Sequence, residues 1–80
     1  MNNPKFKPGD IVYYLNYNHL IRTYTIEAAQ VKDIITQITP SIVQHCYTLT
    51  NGKFLNEKMI NLYSTFDNAY FEYLNLVKKI

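Results

Sequence analysis

Residues 11–50 are dominated by β-branched and aromatic side chains, broken at intervals by residues that favour turns. Such side chains pack well on a pleated, half-buried surface, whereas turn residues limit how far any one strand can run. Three runs, residues 11–15, 20–39 and 42–50, therefore predict β-strands. The chain is accordingly predicted to be mainly β.

Proline and glycine mark the ends of these runs. Pro8-Gly9 predicts a tight turn ahead of the first strand. Pro40 ends the second run, because proline donates no backbone hydrogen bond to a central ladder. Asn51-Gly52 predicts a hairpin after the third run, with a type I′ turn, since both residues tolerate a positive φ.

The second run, residues 20–39, is too long for one flat strand. Residues 28–30 have weaker β character and predict a bend or bulge there, with a helical turn over residues 27–33 as the alternative. Polar residues 16–19 predict the tip between the first two strands. Residues 59–63 predict a single turn followed by a last short strand.

The C-terminal residues carry the signals of a helix over roughly residues 65–79. Ser64 or Thr65 can cap it, and Asp67 in the first turn suits the helix dipole. Two lysines stand at the far end, where positive charge is favoured. The apolar stripe predicted on this helix consists of Phe66, Ala69, Tyr70, Tyr73, Leu74, Val77 and Ile80.

Length and composition predict one domain over residues 1–80 in the cytoplasm. Hydrophobic residues are 48% of the chain and charged residues 18%, which argues against disorder. The net charge of +2 lacks the basic footprint of a strong duplex binder. The single cysteine, Cys46, leaves no internal disulfide, and the sequence shows neither a signal peptide nor an apolar run of membrane-spanning length.

The titratable residues do not form a catalytic or metal-binding pattern. There is no Ser-His-Asp order, glycine-rich phosphate loop or paired-carboxylate motif around the two histidines, His19 and His45. His45 and Cys46 are adjacent, so on a strand they would point to opposite faces and could not bind one ion. We therefore predict that the protein is not an enzyme and uses neither cofactor nor metal.

The chain has more aromatic rings than a small β-fold has interior positions, with eight tyrosines and four phenylalanines. In the first strand, Val12 and Tyr14 share one face, while Ile11, Tyr13 and Leu15 share the other. Both faces are apolar, so if the first fills the interior, the second needs another cover. The apolar stripe of the C-terminal helix is one candidate for that cover.

A ligand site or a homo-oligomer interface is the other candidate. Tyrosine offers a flat ring for stacking and a hydroxyl for hydrogen bonds, and arginine pairs with phosphate or stacks on rings. The surplus of apolar surface also predicts a homodimer or larger assembly. The predicted binding residues are Tyr13, Tyr17, His19, Arg22 and Tyr24.

Three short patterns precede the capped helix: Phe6-x-x-Gly9-Asp10-x-Val12-x-Tyr14, Tyr47-x-Leu49-x-Asn51-Gly52, and Glu57 with Leu62-Tyr63. This set resembles small SH3-like barrel proteins, which are common among uncharacterised bacterial, prophage and phage reading frames. The resemblance implies an SH3-like barrel of about five strands closed by the C-terminal helix. It also implies that Phe6, Val12, Tyr14, Tyr47 and Leu49 are core residues. Proteins of this fold bind RNA, DNA, peptides or small ligands, so the fold does not select the function.

Three functions follow from these features. The leading hypothesis is a non-catalytic protein that binds a small, nucleotide-like ligand; a phage counter-defence protein that sequesters a signalling nucleotide in the bacterial host cytoplasm is one form of it. The second is a protein–protein interaction module or inhibitor acting through the aromatic strand face. The third is RNA or DNA binding, which the net charge of +2 supports least.

Overall fold

The computed structural model describes residues 4–78. Its elements are β1 (Ile11–Asn18), β2 (Thr23–Ile38), β3 (Val43–Leu49), β4 (Phe54–Asn56) and α1 (Phe66–Val77). All neighbouring strands are antiparallel and lie in the order β1-β2-β3-β4. The mainly β class is confirmed, with four strands in one sheet where about five were predicted. Within residues 4–78 the sheet is not closed into a barrel.

The core lies on one face of the sheet and is built from alternate residues of the strands. In β1 this alternation places Val12 and Tyr14 on the core face, as the sequence predicts, and both are buried. None of the core cluster among the described residues comes from α1. The buried cluster consists of Val12, Tyr14, Ala29, Val31, Tyr47 and Leu49, with Phe6, Ile34, Leu55, Ile60 and Leu62 packed against it.

Tyr47 ties three segments together inside this core. Its side chain is fully buried, and its hydroxyl donates a hydrogen bond to Glu57 Oε2 at 2.6 Å. The same hydroxyl accepts hydrogen bonds from the backbone N–H groups of Lys5 at 3.1 Å and Phe6 at 3.4 Å. Burial, reinforced by the hydrogen bond to Glu57, raises the pKa of Tyr47 to about 12. One side chain therefore holds the N-terminal segment, β3 and the segment after β4.

The β1–β2 hairpin has its tip farther along the chain than predicted. β1 runs through Asn18, so most of the predicted tip at residues 16–19 is strand, and the turn covers residues 19–22. Asn18 Oδ1 accepts hydrogen bonds from the backbone N–H groups of Leu20 at 2.9 Å and Ile21 at 3.4 Å. Polar composition misplaced the tip because pairing with β2 continues past the first polar residue.

β2 has an irregularity in its pairing, but farther along the chain than predicted. It pairs with β1 up to Gln30 and with β3 from Val31, and its register shifts between Val31 and Asp33. The predicted bend was at residues 28–30, and residues 27–33 are strand rather than the alternative helical turn. The irregularity lies where β2 stops pairing with β1 and starts pairing with β3. Its position is therefore set by the neighbouring strands rather than by the local β propensity.

The turn predicted at Pro8-Gly9 is confirmed. The N–H of Asp10 donates to the Lys7 carbonyl at 3.0 Å, and Gly9 has a φ of 97°, which glycine adopts at no steric cost. The N–H of Gly9 also donates to the Val31 carbonyl at 2.9 Å. The turn therefore anchors the N-terminal segment beside β2.

Asn51-Gly52 closes the β3–β4 hairpin as predicted, but with a different turn. Gly52 has a φ of 87°, whereas Asn51 does not have a positive φ. The N–H of Gly52 donates to the Leu49 carbonyl at 3.0 Å, and the N–H of Leu49 donates to the Lys53 carbonyl at 2.8 Å. This is a three-residue loop with one left-handed residue rather than a type I′ turn. Asn51 Nδ2 instead donates to the Tyr14 hydroxyl at 2.8 Å.

The predicted last strand is reduced to a single β-bridge. One turn follows β4, in which the N–H groups of Met59 and Ile60 donate to the Asn56 carbonyl at 2.9 and 3.1 Å. Tyr63 then pairs with Tyr13, and their backbone N–H and carbonyl groups exchange hydrogen bonds of 2.8 and 2.9 Å. This bridge places the segment along the edge of β1 that β2 does not use.

α1 begins where the sequence predicts, and Thr65 rather than Ser64 caps it. Thr65 Oγ1 accepts a hydrogen bond from the backbone N–H of Asn68 at 3.2 Å. The helix ends at Val77, and the predicted stripe residue Ile80 lies outside the described residues. No helix among residues 4–78 is long and apolar enough to cross a membrane.

The apolar stripe of α1 is only partly buried. The helix lies against β1 and β2 on the side of β1 that the core does not use, so it covers part of the second face of that strand. Ala69 is the one buried helix position among the described residues, whereas Phe66 and Tyr70 remain 51% and 45% exposed. A small residue at the contact leaves the larger rings at the rim of the interface.

Replacing the cap residue Thr65 with alanine is expected to lower the free energy of unfolding by about 1 kcal/mol. The cause is the loss of the acceptor for the Asn68 N–H. Ser64→Ala is the matched control, with an expected change of a few tenths of a kcal/mol at most, as for other surface substitutions. Urea denaturation of both variants measures the difference, and a larger loss for Ser64→Ala would contradict the assigned cap.

Candidate functional site

Three of the five predicted binding residues meet at the end of the β1–β2 hairpin. Tyr17 and Tyr24 are direct cross-strand partners with ring centroids 5.1 Å apart, and the His19 ring lies 4.8 Å from Tyr17. Both contacts are edge-to-face with interplanar angles of 74°, a geometry that aromatic rings prefer to a face-to-face sandwich. These three side chains are called the ring cluster below.

The turn beside the ring cluster presents two aliphatic side chains to solvent. Leu20 is 94% exposed and Ile21 is 60% exposed. Arg22, the fourth predicted binding residue here, has a φ of 56°, which is uncommon for a residue other than glycine. The sequence interpretation placed Leu20 in the second strand and so missed both aliphatic residues, although two adjacent aliphatic residues next to a polar segment were visible. The hairpin tip is defined as Tyr17, His19, Leu20, Ile21, Arg22 and Tyr24.

The structure does not bring Tyr13 together with the other four predicted binding residues. Tyr13 lies four positions before Tyr17 on the same strand face, a distance of about 13 Å at the usual rise per residue. Its ring contacts Phe66 of α1 edge-to-face, with centroids 6.2 Å apart. Tyr13 therefore belongs to the contact between the sheet and the helix.

A row of aromatic rings runs from Tyr13 along the outside of α1. Beyond Phe66, the ring of Tyr70 stacks at 5.9 Å, and the ring of Tyr73 stacks on Tyr70 at 6.0 Å. Phe71 on the same helix is 67% exposed. The sequence predicted Phe66, Tyr70 and Tyr73 as members of one apolar stripe and left open how much of it covers the sheet, because helical periodicity alone does not say which part of a wide apolar face is buried.

A cleft of about 230 Å³ lies between β1, the segment after β4 and α1. The side chain of Tyr63 borders it, and burial raises the pKa of Tyr63. The negative charge of Glu72 raises that pKa further, while a hydrogen bond with Asn61 acts in the opposite direction. The cleft is lined by Leu15, Met59, Ile60, Asn61, Tyr63, Glu72 and Leu76.

The remaining histidine and the cysteine lie apart from the hairpin tip. His45 is buried, and its Nδ1 lies 2.9 Å from Thr36 Oγ1. Cys46 is buried as a free thiol. Among residues 4–78, no group of three or more His, Cys, Asp or Glu side chains is placed to hold a metal ion. The groups that the hairpin tip does offer are ring edges, phenol hydroxyls, one guanidinium and two aliphatic side chains.

Comparisons with known proteins found no relative of this chain. No protein-family model, no curated protein and no solved structure matches it. The function is therefore argued from the geometry of the described residues.

Proposed function

We propose that the protein is a non-catalytic protein-binding module whose contact surface is the hairpin tip. The observation that carries the proposal is the exposure of Leu20 and Ile21 on a turn whose backbone is held by the Asn18 side chain. Burying an exposed aliphatic side chain of this size contributes roughly 1.5–3 kcal/mol. Two such side chains on a preorganised turn favour insertion into an apolar groove of a partner.

The other residues of the hairpin tip are of the types that dominate protein interfaces. Tyrosine and arginine are enriched among the residues whose truncation costs most binding energy. The contacts of Tyr17 with His19 and Tyr24 hold these rings in position before a partner arrives. Because these side chains are already ordered in the free protein, less conformational entropy is lost on binding. The partner expected here has an apolar groove rimmed by hydrogen-bond acceptors for Arg22 and the tyrosine hydroxyls.

A nucleotide-like ligand, the leading hypothesis from the sequence, has less support in the geometry. The ring cluster is edge-to-face, so it leaves no parallel pair of rings between which a base would stack. The cleft beside α1 carries the Glu72 carboxylate and, among the described residues that line it, no lysine or arginine. A phosphate group would be repelled there. Nucleotide binding therefore enters the test below as the competing outcome.

The same proposal includes an SH3-like barrel as the scaffold. Its support is the bridge between Tyr13 and Tyr63, which adds a fifth segment on the free edge of β1. The irregularity between Val31 and Asp33 also supports it, because a bent strand lets one sheet curl around its own core. NMR distance restraints between the Tyr63 segment and β4 would test closure of the barrel.

The binding proposal is tested by capture from a lysate of the source organism with three immobilised proteins. These are the unaltered chain, the Leu20→Ser/Ile21→Ser variant and the Ile38→Ser/Ile42→Ser variant. We expect a partner retained equally by the first and third proteins and at least about tenfold less by the second, since interface anchors contribute this much or more. The third protein is the matched control because Ile38 and Ile42 are also exposed aliphatic residues near a hairpin end.

Calorimetry with cyclic and ADP-ribose-type nucleotides accompanies the capture experiment. Binding of a nucleotide to the unaltered chain, together with loss of that binding in Arg22→Ala, would favour the small-ligand hypothesis. Equal capture of the same proteins by all three immobilised proteins would contradict the proposed contact surface. Such a result would indicate non-specific hydrophobic binding, which does not depend on the hairpin tip. The homo-oligomer predicted from the sequence stays a prediction that sedimentation of the same samples measures.

A further inference from the structure

We propose that the cleft between β1, the segment after β4 and α1 binds an organic cation, a primary ammonium group carried on a short apolar chain. The proposal does not rest on the hairpin tip, because the two sites share no residue. It rests instead on the charge, the walls and the preorganisation of the cleft.

The charge of the cleft is set by Glu72. Glu72 lines the cleft, its negative charge acts on the Tyr63 side chain, and no lysine or arginine is found among the described residues that line the cleft. Glu72 also makes no hydrogen bond or ion pair with another of residues 4–78. The Tyr63 hydroxyl and the Asn61 side chain add polar groups beside the carboxylate. A hydrogen-bond donor with a positive charge matches this set, because the acceptor is ionised and such hydrogen bonds are about twice as strong as neutral ones.

The walls of the cleft are aliphatic. Leu15, Ile60 and Leu76 line it together with the thioether of Met59. Its volume of about 230 Å³ is below the ~300–1,000 Å³ typical of sites for drug-sized ligands. A ligand of only a few heavy atoms therefore fits, with an apolar portion against the aliphatic residues and a single cationic end at the carboxylate.

The position of Tyr63 is fixed before any ligand binds. Its backbone N–H and carbonyl exchange hydrogen bonds of 2.9 and 2.8 Å with Tyr13 in β1. Ile60 on the neighbouring wall is held by the hydrogen bond from its N–H to the Asn56 carbonyl at 3.1 Å. Walls held by backbone hydrogen bonds need little reordering on binding.

The test is an NMR titration of backbone amide shifts with n-butylammonium and, separately, with n-butyrate, which has a similar chain and the opposite charge. We expect n-butylammonium to shift the amides of the cleft residues with saturation, and n-butyrate to leave them unchanged. Glu72→Gln, which keeps the side-chain size, is expected to weaken n-butylammonium binding by about tenfold or more. Asp67→Asn is the matched control, because it removes one exposed carboxylate from the same helix, and binding should be unchanged.

A second variant keeps the test independent of any effect of Glu72 on folding. Met59→Ala shortens an exposed wall residue and is expected to weaken binding a few-fold with an unchanged amide spectrum elsewhere. Nα-acetyl-lysine methylamide, used as a further probe, distinguishes the two sources of such a cation: binding of both amines assigns a lysine side chain as a ligand, and binding of n-butylammonium alone assigns a free amine. Equal shifts with n-butyrate, or unchanged affinity in Glu72→Gln, would overturn the proposal.

Discussion

Replacing Tyr47 with alanine is expected to lower the free energy of unfolding by about 3–5 kcal/mol, the usual range for truncating a buried aromatic residue. Tyr47 is fully buried in the core cluster, so truncating it removes its apolar contacts and leaves a cavity. The stability expected of an 80-residue domain is about 4–12 kcal/mol. The variant should therefore be barely folded, which urea denaturation followed by far-UV circular dichroism would measure.

Tyr47→Phe separates the contribution of the hydroxyl from that of the ring. Its expected loss is about 1–3 kcal/mol, because the Glu57 carboxylate and the N–H groups of Lys5 and Phe6 all lose their partner. Tyr70→Phe removes the hydroxyl of a half-exposed tyrosine and should change stability by less than about 0.5 kcal/mol. Equal stability of the two phenylalanine variants would contradict a stabilising role for the Tyr47 hydroxyl.

The same hydroxyl makes the folded protein sensitive to alkali. Burial and then the hydrogen bond to Glu57 raise the pKa of Tyr47 from its usual 10.0 to about 12. As the pH rises, Tyr47 therefore loses its proton in the unfolded chain before it does so in the folded chain. The contribution of the Tyr47 hydroxyl to the free energy of unfolding is complete below pH 10 and is lost as the pH rises through 12. Burial also raises the pKa of Tyr14 and Tyr63. The free energy of unfolding should therefore fall in alkali both for the unaltered chain and for Tyr47→Phe, and it should fall more for the unaltered chain. Parallel stability curves for the unaltered chain and Tyr47→Phe would contradict this assignment.

Replacing Ala69 with aspartate is expected to release α1 from the sheet. Ala69 is fully buried in a helix that lies against β1 and β2, so an aspartate there would place a carboxylate out of water. An unpaired buried charge costs about 3–5 kcal/mol. Because no member of the core cluster comes from α1, the strands should remain folded while the helix amides lose their protection from hydrogen exchange.

Asn68→Asp is the control for the added charge. Asn68 is exposed, and a negative charge in the first turn of a helix is favourable, so this variant should keep its amide protection. The two variants differ by one position and carry the same net charge. Complete unfolding of Ala69→Asp would show that the strands depend on α1, and unchanged protection in both variants would contradict the burial of Ala69.

Local chemistry predicted those parts of the fold that depend on neighbouring residues alone. The alternation in the first strand placed Val12 and Tyr14 on one face, and both are buried together. The turn at Pro8-Gly9 was predicted because glycine can take a positive φ, and Gly9 has a φ of 97°. The helix start was predicted because a threonine side chain can accept a hydrogen bond from an N–H three residues later. In each case the decisive interaction lies within a few residues along the chain, so the sequence contains it.

The parts that were predicted incorrectly depend on partners distant in sequence. The register shift in β2 lies where that strand changes partners, and nothing in residues 28–30 specifies this position. The exposure of Phe66 and Tyr70 depends on how closely Ala69 approaches the sheet, which periodicity does not reveal. Tyr17, His19 and Tyr24, which the sequence grouped together, do lie in contact, whereas the cleft joins three segments that no local pattern connects.

The positive φ of Arg22 sets the stability of the fold against the proposed binding role of this residue. A left-handed backbone costs an ordinary residue about 1–2 kcal/mol more than it costs glycine. A screen of position 22 for thermal stability alone is therefore expected to select Arg22→Gly, which removes the only arginine in the chain. A more heat-resistant form obtained in this way would lack the guanidinium of the proposed contact surface.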